Sequence, residues 1–132
     1  LPTHISWKAY NGTGKHSMQL ESKKYVFDIK QAAGLLADFT RGKSFADFQG
    51  DPMLRSAVER QFEIIGEALT KLAKVDQETA TLISEHRRII AFRNILIHGY
   101  AQIDDRLVWG VLDSKLPTLS QEVKKLLEEE TP

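Results

Sequence analysis

The chain has no cysteine among its 132 residues. That absence excludes a disulfide framework, a thiolate metal site and a cysteine nucleophile, and it fits a reducing, cytoplasmic setting. An excess of charge of either sign is missing too: 18 basic residues face 18 acidic ones, for a net charge of zero and a pI near 7.1. Without a global positive field, any attraction for nucleic acid has to come from a local patch. No apolar run approaches the roughly 20 residues needed to span a bilayer, so no membrane partner is expected, and the first residues carry no signal-peptide pattern. Glycine-rich phosphate loops, internal repeats and period-2 alternation are equally lacking, which leaves no case for a nucleotide-cradling loop, a repeat array or a sheet.

What remains is helical periodicity. Residues 1–17 hold Pro2, Asn11, Gly12 and Gly14 without a steady apolar period, and read as an irregular extension ahead of a natural start at Met18. His4 and His16 lie there and are given no role. Residues 18–132 read as one domain, long enough for a real core. A first helix is expected from Ser22 to Thr40, with Val26, Ile29, Ala33 and Leu36 on one stripe and Gly42 as its stop. Phe45 and Phe48 fall in a short connector and are expected to plug the end of a bundle. Asp51-Pro52 is a cap followed by a first-turn proline, so a second helix runs from there to about Lys74. Gly66 inside it costs about 1 kcal/mol relative to alanine, a cost that close approach of another helix would explain. Asp76 caps a third helix expected to run to His98 or Gly99, and Asp104-Asp105 opens a last helical region that Pro117 should break or restart. The fold class is therefore all-α, a four- to five-helix up-and-down bundle.

Chemistry-bearing side chains converge in one stretch, Arg93-Asn94-Ile95-Leu96-Ile97-His98-Gly99-Tyr100. On a helix Asn94 and His98 stack about 40° apart, whereas Arg93 and His98 diverge by about 140°. One helix cannot easily turn both onto the same phosphate; a second copy packed antiparallel across a two-fold axis could. The apolar run Ile95-Leu96-Ile97 must face a core or a partner, which places the site at the edge of an interface.

The spacing Arg93-Asn94-(x3)-His98-x-Tyr100 resembles the Arg-x4-His-x-Tyr motif of HepT-like proteins, a branch of the HEPN superfamily. Val58-Glu59-Arg60-Gln61-Phe62-Glu63-Ile64-Ile65-Gly66-Glu67-Ala68 is similar to that family's second helix. Ile103-Asp104, Val108-Trp109 and Leu116-Pro117-x-Leu119 are similar to its C-terminal part. The resemblance covers about residues 25–127. A Pro-Trp block usual in the family would fall near Ser84-Glu85-His86 and is missing.

The resemblance implies a HEPN-like bundle and a metal-independent ribonuclease in which two copies of the motif meet in a homodimer groove. Histidine titrates near neutrality and can act as base or acid, while arginine offers a permanently charged fork for phosphate oxygens. His98 would then be the base or acid, Arg93 the phosphate ligand, and Asn94 the group that orients either. The resemblance further implies the toxin of a type VII-like toxin–antitoxin module, with Tyr100 accepting AMP from an MNT-type nucleotidyltransferase antitoxin; the added charge would satisfy Arg93 and exclude RNA. Taken alone, Tyr100 could equally pack against the helix end, and His98 could be a helix-end histidine favoured by the dipole. Glu63 and Glu67, one turn apart, form either a solvated acidic face or a pair that orients Arg93 or a partner's arginine. Arg87 and Arg88 are either a solvated helix surface or a local patch for an RNA backbone. His86 and His98, twelve apart, do not share a face, so no metal site is expected and no cofactor is required. The alternative from another class is a non-catalytic HEPN subunit that presents nucleotide or substrate to a nucleotidyltransferase.

Overall fold

A computed structural model describes residues 18–99 and 103–129. Among them lie six helices and no strand: α1 Leu20–Thr40, α2 Phe45–Gly50, α3 Pro52–Val75, α4 Gln77–Thr81, α5 His86–His98 and α6 Asp105–Glu129. Four are long enough to form the bundle, and α2 and α4 are short. Helix α3 is central. It packs on α1 and α5, and α1 also packs on α6. The N-terminal extension expected over residues 1–17 lies outside the described residues.

Each element follows from its side chains. In α1 the expected stripe is the buried one: Val26, Ile29, Ala32, Ala33 and Leu36. Beyond Arg41, Gly42 adopts φ 73°, a left-handed conformation that glycine takes without a Cβ penalty. The connector expected around Phe45 and Phe48 is itself a helix. Ser44 and Asp47 form a capping box, Asp47 N–H donating to Ser44 Oγ at 3.1 Å and Ser44 N–H to Asp47 Oδ2 at 2.9 Å. The Asp47 carboxyl is held below its ordinary range, first by the Ser44 backbone bond and then by the Ser44 side chain. Phe48 is fully buried with its ring 5.3 Å from that of Trp109, and Phe45 meets the same indole edge-on at 6.3 Å. The aromatic plug is thus where the sequence places it.

Helix α3 begins as expected, with Asp51 Oδ1 accepting from the N–H groups of Met53 and Leu54 at 3.1 Å each and Pro52 in the first turn. Its apolar residues point to more than one neighbour, which is why Phe62, Ile65, Gly66 and Leu69 are all buried.

Two expectations about helix ends need correction. The third helix is not continuous from Asp76 to His98. It is broken at residues 82–85, where Glu85 sits at φ 65°, the one non-glycine residue in left-handed space among those described. The cause is non-local: the Ser84 N–H and hydroxyl leave the helical ladder for the Glu122 carboxylate, at 3.0, 3.1 and 2.5 Å. No glycine or proline marks this break. Conversely, Pro117 does not end α6. Proline in a helix interior costs about 3 kcal/mol, but Pro117 is on the exposed side while Leu112, Leu116, Leu119 and Val123 carry the buried stripe through it. Burial of that stripe outweighs the lost backbone bond. No described helix is long and apolar enough to cross a membrane.

The start of α1 is tied to the α3–α4 junction by one carboxylate. Asp76 accepts from Ser22 Oγ at 2.8 Å, from Thr79 Oγ1 at 2.6 Å and from Thr79 N–H at 3.1 Å. Ser22 and Thr79 are the two buried polar residues of the described core. Replacing Asp76 with alanine removes a cap and the shared acceptor of both hydroxyls, so urea unfolding of Asp76→Ala should show a loss of about 2–4 kcal/mol.

Candidate active site

The site is built at the C-terminal end of α5. Three side chains of this helix, Ile89, Phe92 and Leu96, are buried and fix its rotation; Phe92 meets Phe62 of α3 edge to face, with ring centroids 5.2 Å apart at 84°. With that face inward, Arg93 comes to lie over α3 at Gly66. A Cβ on Gly66 would fall 2.2 Å from Arg93 Cβ and 2.5 Å from its Cγ. The glycine that seemed costly in sequence is therefore what admits the stem of Arg93, the close approach the sequence predicts.

The stem is packed, and the head is turned. Arg93 is half-buried, and its Nη1 donates to Asn94 Oδ1 at 3.0 Å. Its Nε is buried and meets no acceptor, an orphaned donor of the kind that native interiors seldom leave. Asn94 and His98 are exposed and one turn apart. Asn94 thus holds the Arg93 fork, and it lies one helical turn before His98. His98 is the last residue of α5, and Gly99 closes the helix at φ 59°. Of the apolar run, Leu96 is buried, while Ile95 and Ile97 remain 38% and 44% exposed beside the site. Tyr100 lies outside the described residues.

The supporting residues divide. Glu63 pairs with Arg60 at 3.3 Å and Glu67 with Lys71 at 3.2 Å, both within α3. Neither makes an ion pair with Arg93. Arg88 is 75% exposed and bound to Glu85 at 3.1 Å, whereas Arg87 is exposed without an ion-pair partner among the described residues. No group of three metal-ligating side chains occurs among the described residues.

One residue escaped the sequence reading. Glu59, two turns before Gly66, is half-buried, and its carboxyl is pushed above its ordinary range by burial first, then by Asp105 and Glu63, with Arg55 opposing. Arg55 itself reaches Asp105 at 3.8 Å across the α3–α6 gap. The spacing of Glu59 and Glu63, one turn apart, was a visible signal; the contribution of Asp105 was not, because it comes from another helix.

Two measurements follow. Alanine at Gly66 gains about 1 kcal/mol of helix propensity but forces backbone or Arg93 to move, so Gly66→Ala should be net destabilising by about 1–3 kcal/mol in urea. A raised carboxyl binds its proton more tightly in the folded chain, so its stabilising contribution is full at acid pH and is lost as pH rises through the folded-state value. Glu59→Gln should accordingly raise Tm at neutral pH by a few degrees at most, and the gain should vanish when pH drops below the carboxylate range.

The family model described as "Ribonuclease HepT-like" matches residues 29–126. Over 108 residues the chain is 34% identical to a "Putative RNase" of Caldanaerobacter subterraneus subsp. tengcongensis, covering 82% of this chain and 96% of that protein. It is 34% identical over 109 residues to the "Probable ribonuclease HepT" of Thermococcus cleftensis, covering 83% and 98%. It also matches half of a longer Methanocaldococcus jannaschii protein named "Gamma-glutamylcyclotransferase and putative RNase", at 33% identity over 112 residues and 85% of this chain. No solved structure gives a significant match. A family match across most of the chain, on a helical bundle that carries the Arg93–His98 motif at the end of one helix, establishes that the chain belongs to the ribonuclease HepT-like family.

Proposed function

We propose that the protein is a metal-independent ribonuclease acting as a homodimer, with Arg93, Asn94 and His98 as its catalytic residues. The observation that carries this reading is the held fork: Arg93 packed by its stem on Gly66 and bonded by its head to Asn94, one turn from His98. The reaction is internal transesterification. A base takes the ribose 2′-OH proton, the 2′-oxygen attacks phosphorus, the bond to the 5′-oxygen breaks, and an acid protonates that oxygen. The products are a 2′,3′-cyclic phosphate and a 5′-hydroxyl. Histidine fits either proton role, and two copies of His98 across a dimer groove would supply both. Arg93 stabilises the charge on the pentavalent phosphorus.

Exposed Ile95 and Ile97 beside the motif support pairing of two copies at this edge. The orphaned Nε of Arg93 supports it too, since an acceptor arriving with the second copy or with substrate would satisfy it. By family resemblance the protein is the toxin of a two-gene toxin–antitoxin module, and an MNT-type nucleotidyltransferase silences it by AMP transfer to Tyr100.

His98→Ala should lower RNA cleavage by about 10²–10⁴-fold while the dimer and its Tm stay unchanged; retained cleavage would remove His98 from the mechanism. Arg93→Lys keeps a stem for Gly66 but not the planar fork, and should fold normally with cleavage reduced at least tenfold. For the control by AMP, intact mass is measured with and without the co-expressed nucleotidyltransferase. Whole AMP units on Tyr100, with toxicity only when the partner is absent, are expected. No mass gain and no cleavage would favour the non-catalytic presenting subunit instead.

A further inference from the structure

We infer that Arg87 holds a second phosphate of a single-stranded RNA that runs along the outer face of α5, so that the substrate is an extended strand of several nucleotides. This rests on the ribonuclease reading and extends its site toward the start of the helix. Arg87, Ala91, Asn94 and His98 are spaced by four, three and four residues, which places them on one stripe about 60° wide, with Arg87 and His98 about 20° apart. All four are exposed. From Arg87 to His98 the helix rises about 16 Å, more than one phosphate can bridge and about the reach of a few nucleotides of extended backbone. Ala91, between the two ends, keeps the path low. No carboxylate stands on this stripe, and none pairs with Arg87 among the described residues. Its neighbour Arg88 differs: Glu85 engages it at 3.1 Å, so its charge is already answered.

The stripe also fits one strand better than two. It is a single line on a convex helix, whereas a duplex presents two backbones. In-line attack by a 2′-oxygen further requires a sugar–phosphate geometry that an A-form duplex does not permit. In a chain of zero net charge the pull on RNA has to be local, and a guanidinium with no ion-pair partner among the described residues, on the same face as His98, is a local source.

The experiment uses the full chain and two single-charge variants, Arg87→Gln and Arg88→Gln, each checked for wild-type Tm. Binding is read by fluorescence anisotropy on a 2′-O-methyl oligonucleotide, which cannot be cleaved through a 2′-hydroxyl. For Arg87→Gln the slope of log affinity against log salt should fall by about 0.7, the loss of one single-strand phosphate contact; for Arg88→Gln it should not change. On cleavable RNA, Arg87→Gln should raise KM several-fold at unchanged kcat for long oligonucleotides and have no effect on the shortest ones that are still cut. Equal slopes in wild type and Arg87→Gln, or equal losses in the two variants, would overturn the inference while wild-type cleavage upheld the ribonuclease reading. A wild type that cuts no RNA would overturn that reading, and the anisotropy slopes would then decide the role of Arg87 alone.

Discussion

The absence of one side chain, at Gly66, sets how the motif helix lies on the bundle. Where every other α3 residue carries a Cβ, this position is open to the aliphatic stem of Arg93, whose Cβ and Cγ occupy the space a methyl group would fill. Helix α5 can therefore sit close to α3, with Phe92 against Phe62 fixing its rotation on one side and Arg93 on the other. The same contact divides the arginine in two. Its stem belongs to the core, and its guanidinium is delivered to the edge, where Asn94 receives it. In the mechanism we propose, a long, flexible cation held this way has lost much of its rotamer freedom before a phosphate arrives, and preorganisation of that kind is what makes a fixed charge effective in catalysis.

A second constraint acts at the other end of α5. Glu122 draws the Ser84 backbone and hydroxyl out of the helical ladder, and Glu85 takes a left-handed turn that local sequence would not choose. Lys115 reaches the same Glu85 carboxylate at 3.7 Å, so two residues of α6 hold the turn. The consequence is that α5 starts afresh at His86 and takes its own direction. Helix α4, capped by Asp76, belongs instead to the junction that secures α1.

Electrostatics stabilise this fold only modestly. Most described ion pairs join residues three or four apart on exposed helix faces, as in Arg41–Asp38, Lys71–Glu67 and Lys124–Glu128, and such pairs contribute a few tenths of a kcal/mol each. Glu63 and Glu67 are occupied in this way, by Arg60 and Lys71. Stability comes from the apolar stripes that form the core.

Sequence periodicity was sufficient for the buried stripes of α1 and α3, for the Asp51-Pro52 start and the Gly42 stop, and for an all-helical bundle, because each of these depends on neighbours within a turn or two. The motif was legible for the same reason: Asn94 and His98 stack through helix geometry alone, and the oddity of Gly66 already pointed to a close approach. Tertiary contacts decided what lay beyond that range. They showed that Arg93 is the group that fills the space at Gly66, that Ser84 breaks the third helix by bonding 38 residues away, that Pro117 is carried through by a buried stripe, and that burial, then Asp105 from another helix, raises the Glu59 carboxyl. A helix period is written into consecutive residues, but a partner's identity and distance exist only once the chain has folded back on itself.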